Sequence, residues 1–179
     1  MPFRLFQSDR RRRERIAHSL YLSIVAQARQ PAFYARLGVP DTVDGRFDLI
    51  VAHAFVVMRR LGRVDGGRDL SQALFDLMFA DMDQQLREMG VSDLAVGRKV
   101  RQMAEAFYGR IAAYEKALAG GGGDGLADAL ARNLYRAEVV ADIPHAGAMA
   151  EYLIAQEGHL DAQDDAALLA GKVTFTGPE

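Results

Sequence analysis

Apolar side chains recur at helical spacing in two blocks between residues 70 and 118, with Met89-Gly90-Val91-Ser92 between them. In the second block Val96, Val100, Met103, Phe107, Ile111, Tyr114 and Leu118 follow one another at steps of three and four. They form a single stripe, and Arg98, Arg101, Gln102, Glu105 and Lys116 lie off it. The first block is broader: Leu70, Leu74, Phe75, Leu77, Met78, Phe79, Met82, Leu86 and Met89 sweep an arc of roughly 200°. Two long helices are predicted. Asp69 is placed to cap the first, with Gln72 three residues on. Gly90 has the position of a glycine just past a helix end, Ser92 can cap the second helix, and Asp93 adds negative charge at its positive end. So short a link makes the two antiparallel neighbours. One stripe satisfies the partner helix, and the remaining apolar width faces other helices or something outside the chain.

The rest of the chain reads as helix and loop. Ile16, Leu20, Ile24 and Ala28 repeat every four residues beside Tyr21 and Val25, an amphipathic helix from about Arg11 to Arg29 that Pro31 halts. A short helix over Pro31 to Leu37 and a turn-rich loop from Gly38 to Gly45 lead to a helix over about Arg46 to Leu61. That helix contains LIVAHAFVVM and is apolar almost all round, and its His53 reads as a hydrogen-bonded core histidine rather than a ligand. Gly120 to Gly125 reads as a flexible linker, with no preceding strand or following Gly-Lys-Ser/Thr to make it a phosphate loop. Helices over about Leu126 to Ala137, Pro144 to Gln156 and Asp161 to Leu169 follow, then an extended tail at Lys172 to Phe175. The expectation is an all-α, irregular bundle of six to eight helices around a long antiparallel pair. Residues 1–30 form a basic arm and amphipathic helix, and residues 31–179 the main helical domain.

Charge sharpens this picture at the ends. The net charge of the 179 residues is −2, which carries no global nucleic-acid signal. Yet residues 4–15 carry +4 and residues 138–179 carry −7. The arginine run Arg10, Arg11, Arg12 and Arg13 sits at the unfavourable end of a helix dipole, so its charge serves something other than helix stability. It reads either as a solvated arm or as a contact to an anionic bilayer. The longest apolar run, Leu49 to Met58, is ten residues, half of what a membrane span needs. The chain is expected to be soluble or peripheral, with no signal peptide after the arginines. Cysteine is absent, so disulfide and thiolate chemistry are excluded.

Little points to catalysis. His18, His53, His145 and His159 stand in no metal-binding spacing, and no serine lies in a nucleophile elbow. No metal, cofactor or catalytic residue is expected. Asp81 falls inside the apolar arc of the first long helix, where a carboxylate needs a partner. It reads as an ion pair with a neighbouring helix or as a polar contact to a bound partner. A wide apolar helix face suits a binding protein better than an enzyme.

Three segments together resemble the ubiquinol–cytochrome c chaperone family, assembly factors of respiratory complex III: YARLGVPDTVDGRFD from Tyr34, FADMDQQLREMGVSDLAVGRK from Phe79 and AFYGRIAAY from Ala106. The resemblance covers roughly residues 30–137, and the region after Asp142 departs most from the pattern. It implies a non-catalytic chaperone that holds newly made cytochrome b. Related mitochondrial proteins work near the ribosomal exit with a small co-chaperone. A start at Met-Pro-Phe-Arg without a transit peptide resembles the bacterial branch, which implies the cytoplasm at the inner face of the cytoplasmic membrane. The client-binding residues so implied are Phe75, Phe79, Asp81, Met82, Asp83, Arg87, Glu88, Lys99, Tyr108 and Arg110. Two other readings stay open: a bundle enzyme or small-ligand carrier, and a membrane-surface adaptor acting through Arg10 to Arg13.

Overall fold

The structure, a computed structural model, describes residues 2–120, 123–137 and 144–178, with side chains from residue 9 onward. It holds eight α-helices among the described residues: α1 (Pro2–Ala28), α2 (Pro31–Ala35), α3 (Val43–Leu61), α4 (Gly67–Glu88), α5 (Asp93–Ala119), α6 (Gly123–Asn133), α7 (His145–Asp161) and α8 (Asp165–Leu169). The fold is all-α, as the periodicity requires, and none of the described helices is long and apolar enough to cross a membrane.

The most buried element is α3, with its entire stretch from Phe47 to Val57 inside apart from the half-buried Ile50. Its start is fixed locally: Thr42 caps it by accepting from the Gly45 amide at 3.0 Å. Gly45 is required there, because a β-carbon would lie 2.1 Å from the Pro40 carbonyl oxygen. Around α3 pack α1, α4, α5 and α7, and α6 closes the hairpin made with α5 against α7. The arginine run lies inside α1, which is helical from Pro2, and the apolar stripe of α1 joins the common core through Ala17, Leu20, Tyr21, Ile24 and Ala28.

Between α4 and α5 the chain turns as the glycine foretold. Gly90 sits at φ +80°, the Val91 amide bonds the Leu86 carbonyl at 3.0 Å, and the Gly90 amide bonds the Arg87 carbonyl at 2.9 Å. This is the two-bond helix stop that a left-handed residue allows. Arg87 then ties the corner by reaching Asp83 and Asp93 at once. The other caps differ from expectation. α4 starts two residues before Asp69, after Gly66 at φ +81°, because Gly67 enters so tightly that a β-carbon would lie 2.0 Å from the Leu61 carbonyl. Ser92 occupies the N-cap position of α5 without a side-chain bond. Gly123 to Gly125 belong to α6, so only Gly120 of the described linker residues lies outside a helix, and Gly121 and Gly122 lie outside the described residues.

The wide arc of α4 has several covers. α1 lies along it, α5 meets it on another side, and α3 touches it from the core. Asp81 takes a 2.6 Å hydrogen bond from the Tyr21 hydroxyl of α1 and one from Gln85. It pairs with the neighbouring helix through a hydroxyl, not a cation. Burial, reinforced by that bond, raises the Tyr21 pKa.

Candidate functional site: an apolar groove and a buried ion pair

The α3, α4 and α5 helices converge on an open groove of about 540 Å³. Its floor is Phe55, Met58, Phe75, Phe107, Tyr108 and Ile111, and its rim is polar, with Arg59, Arg63, Arg68 and Glu115. The floor exists because stripes from three helices meet, and no fourth helix among the described residues seals them. Three of its rings, Phe75, Phe107 and Tyr108, cluster with the buried Phe79 behind them. Phe75 stands 4.5 Å from Phe79, 5.3 Å from Phe107 and 5.2 Å from Tyr108, centroid to centroid. Such spacing lets aromatic pairs contribute beyond their buried area. Tyr108 is 58% exposed and Phe75 is half-buried, so these two rings form the accessible lip.

The rim is braced. Arg59 bonds Glu157 at 2.6 Å and also Glu115, and Arg63 bonds Asp161 at 2.7 Å and also Glu157. These pairs bridge α3 to α5 and α7. The bonds from Arg59 and Arg63 hold the Glu157 carboxyl below its ordinary pKa, against the opposing effect of burial. Arg68 has no carboxylate within ion-pair distance among the described residues.

A second constellation joins α3 to α5. Asp48 is fully buried, with Arg110 Nη2 2.7 Å from its Oδ1 and Arg136 Nη2 3.2 Å from its Oδ2. Arg136, in left-handed backbone at φ 55°, also reaches Asp44 at 2.9 Å. Burial pushes the Asp48 carboxyl up to about 6, although both guanidinium groups pull it down. The Arg110 approach is off the hydrogen-bond direction, so Asp48 Oδ1, Arg110 Nε and the Tyr114 hydroxyl have no hydrogen-bond partner among the described residues. Arg110 also lies over the Phe47 ring at 5.9 Å. This cluster ties α3, α5 and the segment after α6 together.

The ten residues singled out from the sequence therefore part company. Phe75 and Tyr108 line the groove. Phe79 and Met82 do not offer a surface: they are 7% and 6% exposed, because α1 and α5 cover the arc on which they lie. Arg110 is 12% exposed and spent on Asp48, an internal contact rather than a docking one. Asp81 is held by Tyr21. Asp83 and Arg87 belong to the α4–α5 corner, where Glu88 is exposed and bonds Gln84, and Lys99 is exposed on α5. Phe55, Met58 and Ile111 were missed as groove residues. Their spacing reads as plain core, and only the convergence of three helices leaves an opening over them. Asp48 was missed as well, since its partner lies far along the chain. A carboxylate inside an otherwise apolar helix was the available signal.

His53 is buried, and both its nitrogens are engaged. Nδ1 lies 2.8 Å from the Leu49 carbonyl, which can only accept, so Nδ1 carries the proton and Nε2 accepts from the Tyr152 hydroxyl at 2.9 Å. Burial lowers its pKa to about 4. Among the described residues no cluster of three potential metal ligands occurs.

Comparison with known proteins agrees with this architecture. A family model described as Ubiquinol-cytochrome C chaperone matches residues 35–175, well past the point where the sequence resemblance was expected to fade. Human ubiquinol-cytochrome c reductase complex assembly factor 1 is 27% identical over 160 residues, 87% of this chain and 52% of that protein. The mitochondrial protein CBP3 of Saccharomyces cerevisiae is 30% identical over 153 residues, 82% of this chain and 44% of that protein. The chain thus spans about half the length of the curated relatives it matches. The crystal structure of the Cbp3 homolog from Brucella abortus superimposes with a TM-score of 0.82 at 35% identity, covering 98% of this chain and 97% of that one. A match over most of the chain, in sequence and in fold, makes the conclusion plain: the chain belongs to the ubiquinol–cytochrome c chaperone family.

Proposed function

We propose that the chain is a non-catalytic assembly chaperone. It binds newly made cytochrome b and promotes assembly of ubiquinol–cytochrome c reductase, respiratory complex III, at the inner face of the cytoplasmic membrane. The observation that carries this reading is the open apolar groove between α3, α4 and α5, set in a chain whose relatives are named for assembly of that complex.

The groove suits a guest polypeptide on physical grounds. An apolar segment of a membrane protein outside its bilayer must cover its side chains, and burial of apolar area is worth about 25 cal/mol per Å². Phe75 and Tyr108 supply broad, rigid contact area backed by the buried Phe107 ring, and Met58 adapts to differing side chains. The braced arginines keep the rim wet and hold the mouth open without covering it. Recognition of this kind needs no bond to be made or broken, only release when the client passes to its assembly partners.

The test is capture. Affinity-tagged protein purified from solubilised membranes should enrich cytochrome b, and a Phe75→Ala/Tyr108→Ala variant should enrich at least several-fold less while folding normally. Absence of cytochrome b from the wild-type eluate, with complex III assembling normally in a deletion strain, would refute the proposal.

A further inference from the structure

One face of α1 is left uncovered by the described residues. Arg11, Arg15, His18, Leu22, Ala26 and Arg29 follow at steps of three and four, and all are exposed, Leu22 by 54%. The Arg29 amide still bonds the Val25 carbonyl at 3.1 Å, so Arg29 continues the helical path. At 1.5 Å per residue the stripe runs about 27 Å. The opposite face, with Ala17, Leu20, Ile24 and Ala28, is sealed in the core. The arginines of the basic run divide accordingly. Arg10 turns to Glu14 at 2.8 Å and Arg13 to Asp69 at 3.4 Å, whereas Arg11, Arg15 and Arg29 on the stripe, and Arg12 beside it, meet no carboxylate at ion-pair distance among the described residues.

We propose that this stripe of α1 docks the protein on an anionic phospholipid bilayer. The helix lies flat, its guanidinium groups on the headgroup phosphates and Leu22 in the headgroup boundary. Three features select a bilayer over another polyanion. The cations are spread along a straight line on one side of a rigid helix, which matches a plane. Leu22 sits at the centre of the line, where a bilayer rewards an apolar side chain and a sugar–phosphate chain does not. No aromatic ring stands on the stripe for a base to stack on. The lipid contact goes beyond the client reading and does not depend on it, because it uses a different face of the molecule.

Flotation of the purified full chain with vesicles tests this. Vesicles of phosphatidylcholine and phosphatidylglycerol in equal parts should carry the protein at low salt, and vesicles of phosphatidylcholine alone should not. High salt should release it. An Arg11→Gln/Arg15→Gln/Arg29→Gln variant should partition on the order of 100-fold more weakly, since each arginine near such a surface strengthens binding about five-fold. Arg10→Gln/Arg13→Gln should float nearly as well as wild type, and Leu22→Ser should lose part of the vesicle binding. Circular dichroism confirms that each variant remains helical. The proposal is overturned if wild type fails to float, if the triple variant floats unchanged, or if the Arg10/Arg13 variant loses as much as the triple one. It is also overturned if single-stranded RNA binds through the same three arginines with no effect of Leu22→Ser and no vesicle binding. Because no cytochrome b is present, failure here leaves the client reading untouched.

Discussion

Two aromatic clusters of four rings each occur among the described residues, and they differ most in what covers them. The first, Phe33, His53, Tyr152 and Phe175, lies between α2, α3, α7 and the C-terminal tail, with centroids 5.1 to 5.7 Å apart. It is closed. Gln27 donates to the Tyr152 hydroxyl at 2.8 Å and to the Thr176 carbonyl at 2.7 Å, and the Thr176 amide donates to Gln156 at 3.0 Å, so the tail is strapped across the rings. The second, Phe75, Phe79, Phe107 and Tyr108, has the same spacing but no strap, and Tyr108 stands in solvent. Apolar density does not distinguish core from site. A cover made by the chain itself does.

The largest expected effect falls on the closed cluster. Phe33→Ala removes a fully buried ring touching His53 and Tyr152 and should cost about 4 kcal/mol in urea unfolding. Arg110→Met leaves the buried Asp48 carboxylate without its nearest cation and should cost about 3 kcal/mol at neutral pH.

Asp48→Asn sharpens a pH argument. Below about 6.5 the unfolded chain takes up a proton that buried His53, with its pKa near 4, refuses, so stability falls as pH drops through that window. Asp48 acts in the opposite sense. Between 3.8 and about 6 its folded carboxyl keeps a proton that the unfolded chain has lost, so its contribution fades as pH rises. Asp48→Asn therefore leaves the His53 slope unopposed, and its stability should fall more steeply than wild type between about pH 6 and 4 in a denaturant series.

Smaller effects belong to the open side. Gly90→Ala forces a β-carbon into the left-handed region at φ +80° and should cost about 1 kcal/mol. Tyr108→Ser should change stability by less than about 0.5 kcal/mol while lowering client capture. Equal stability losses from Phe33→Ala and Tyr108→Ser would erase the distinction between the two clusters.

Much of this architecture was legible because it is local. The stop at Gly90 and the burial of α3 and His53 follow from neighbours within a turn or two. What stayed hidden is set by distance along the chain. Arg110 reads as an exposed cation until Asp48, on another helix, is brought to 2.7 Å. Phe79 and Met82 read as spare surface until α1 is laid over them. Spare apolar width was anticipated on α4, but the floor of the groove also needs Phe55 and Met58 of α3, which nothing in their spacing sets apart from core.

Site-specific photocrosslinking in cells tests the central claim most directly. A photoreactive residue at position 108, at the groove lip, should yield an adduct with newly made cytochrome b, and one at position 94, on the fully open α4–α5 corner where Leu94 is 96% exposed, should not. Adducts from position 94 alone, with none from 108, would contradict the account, because an apolar residue outside the groove would then be the one that meets the client.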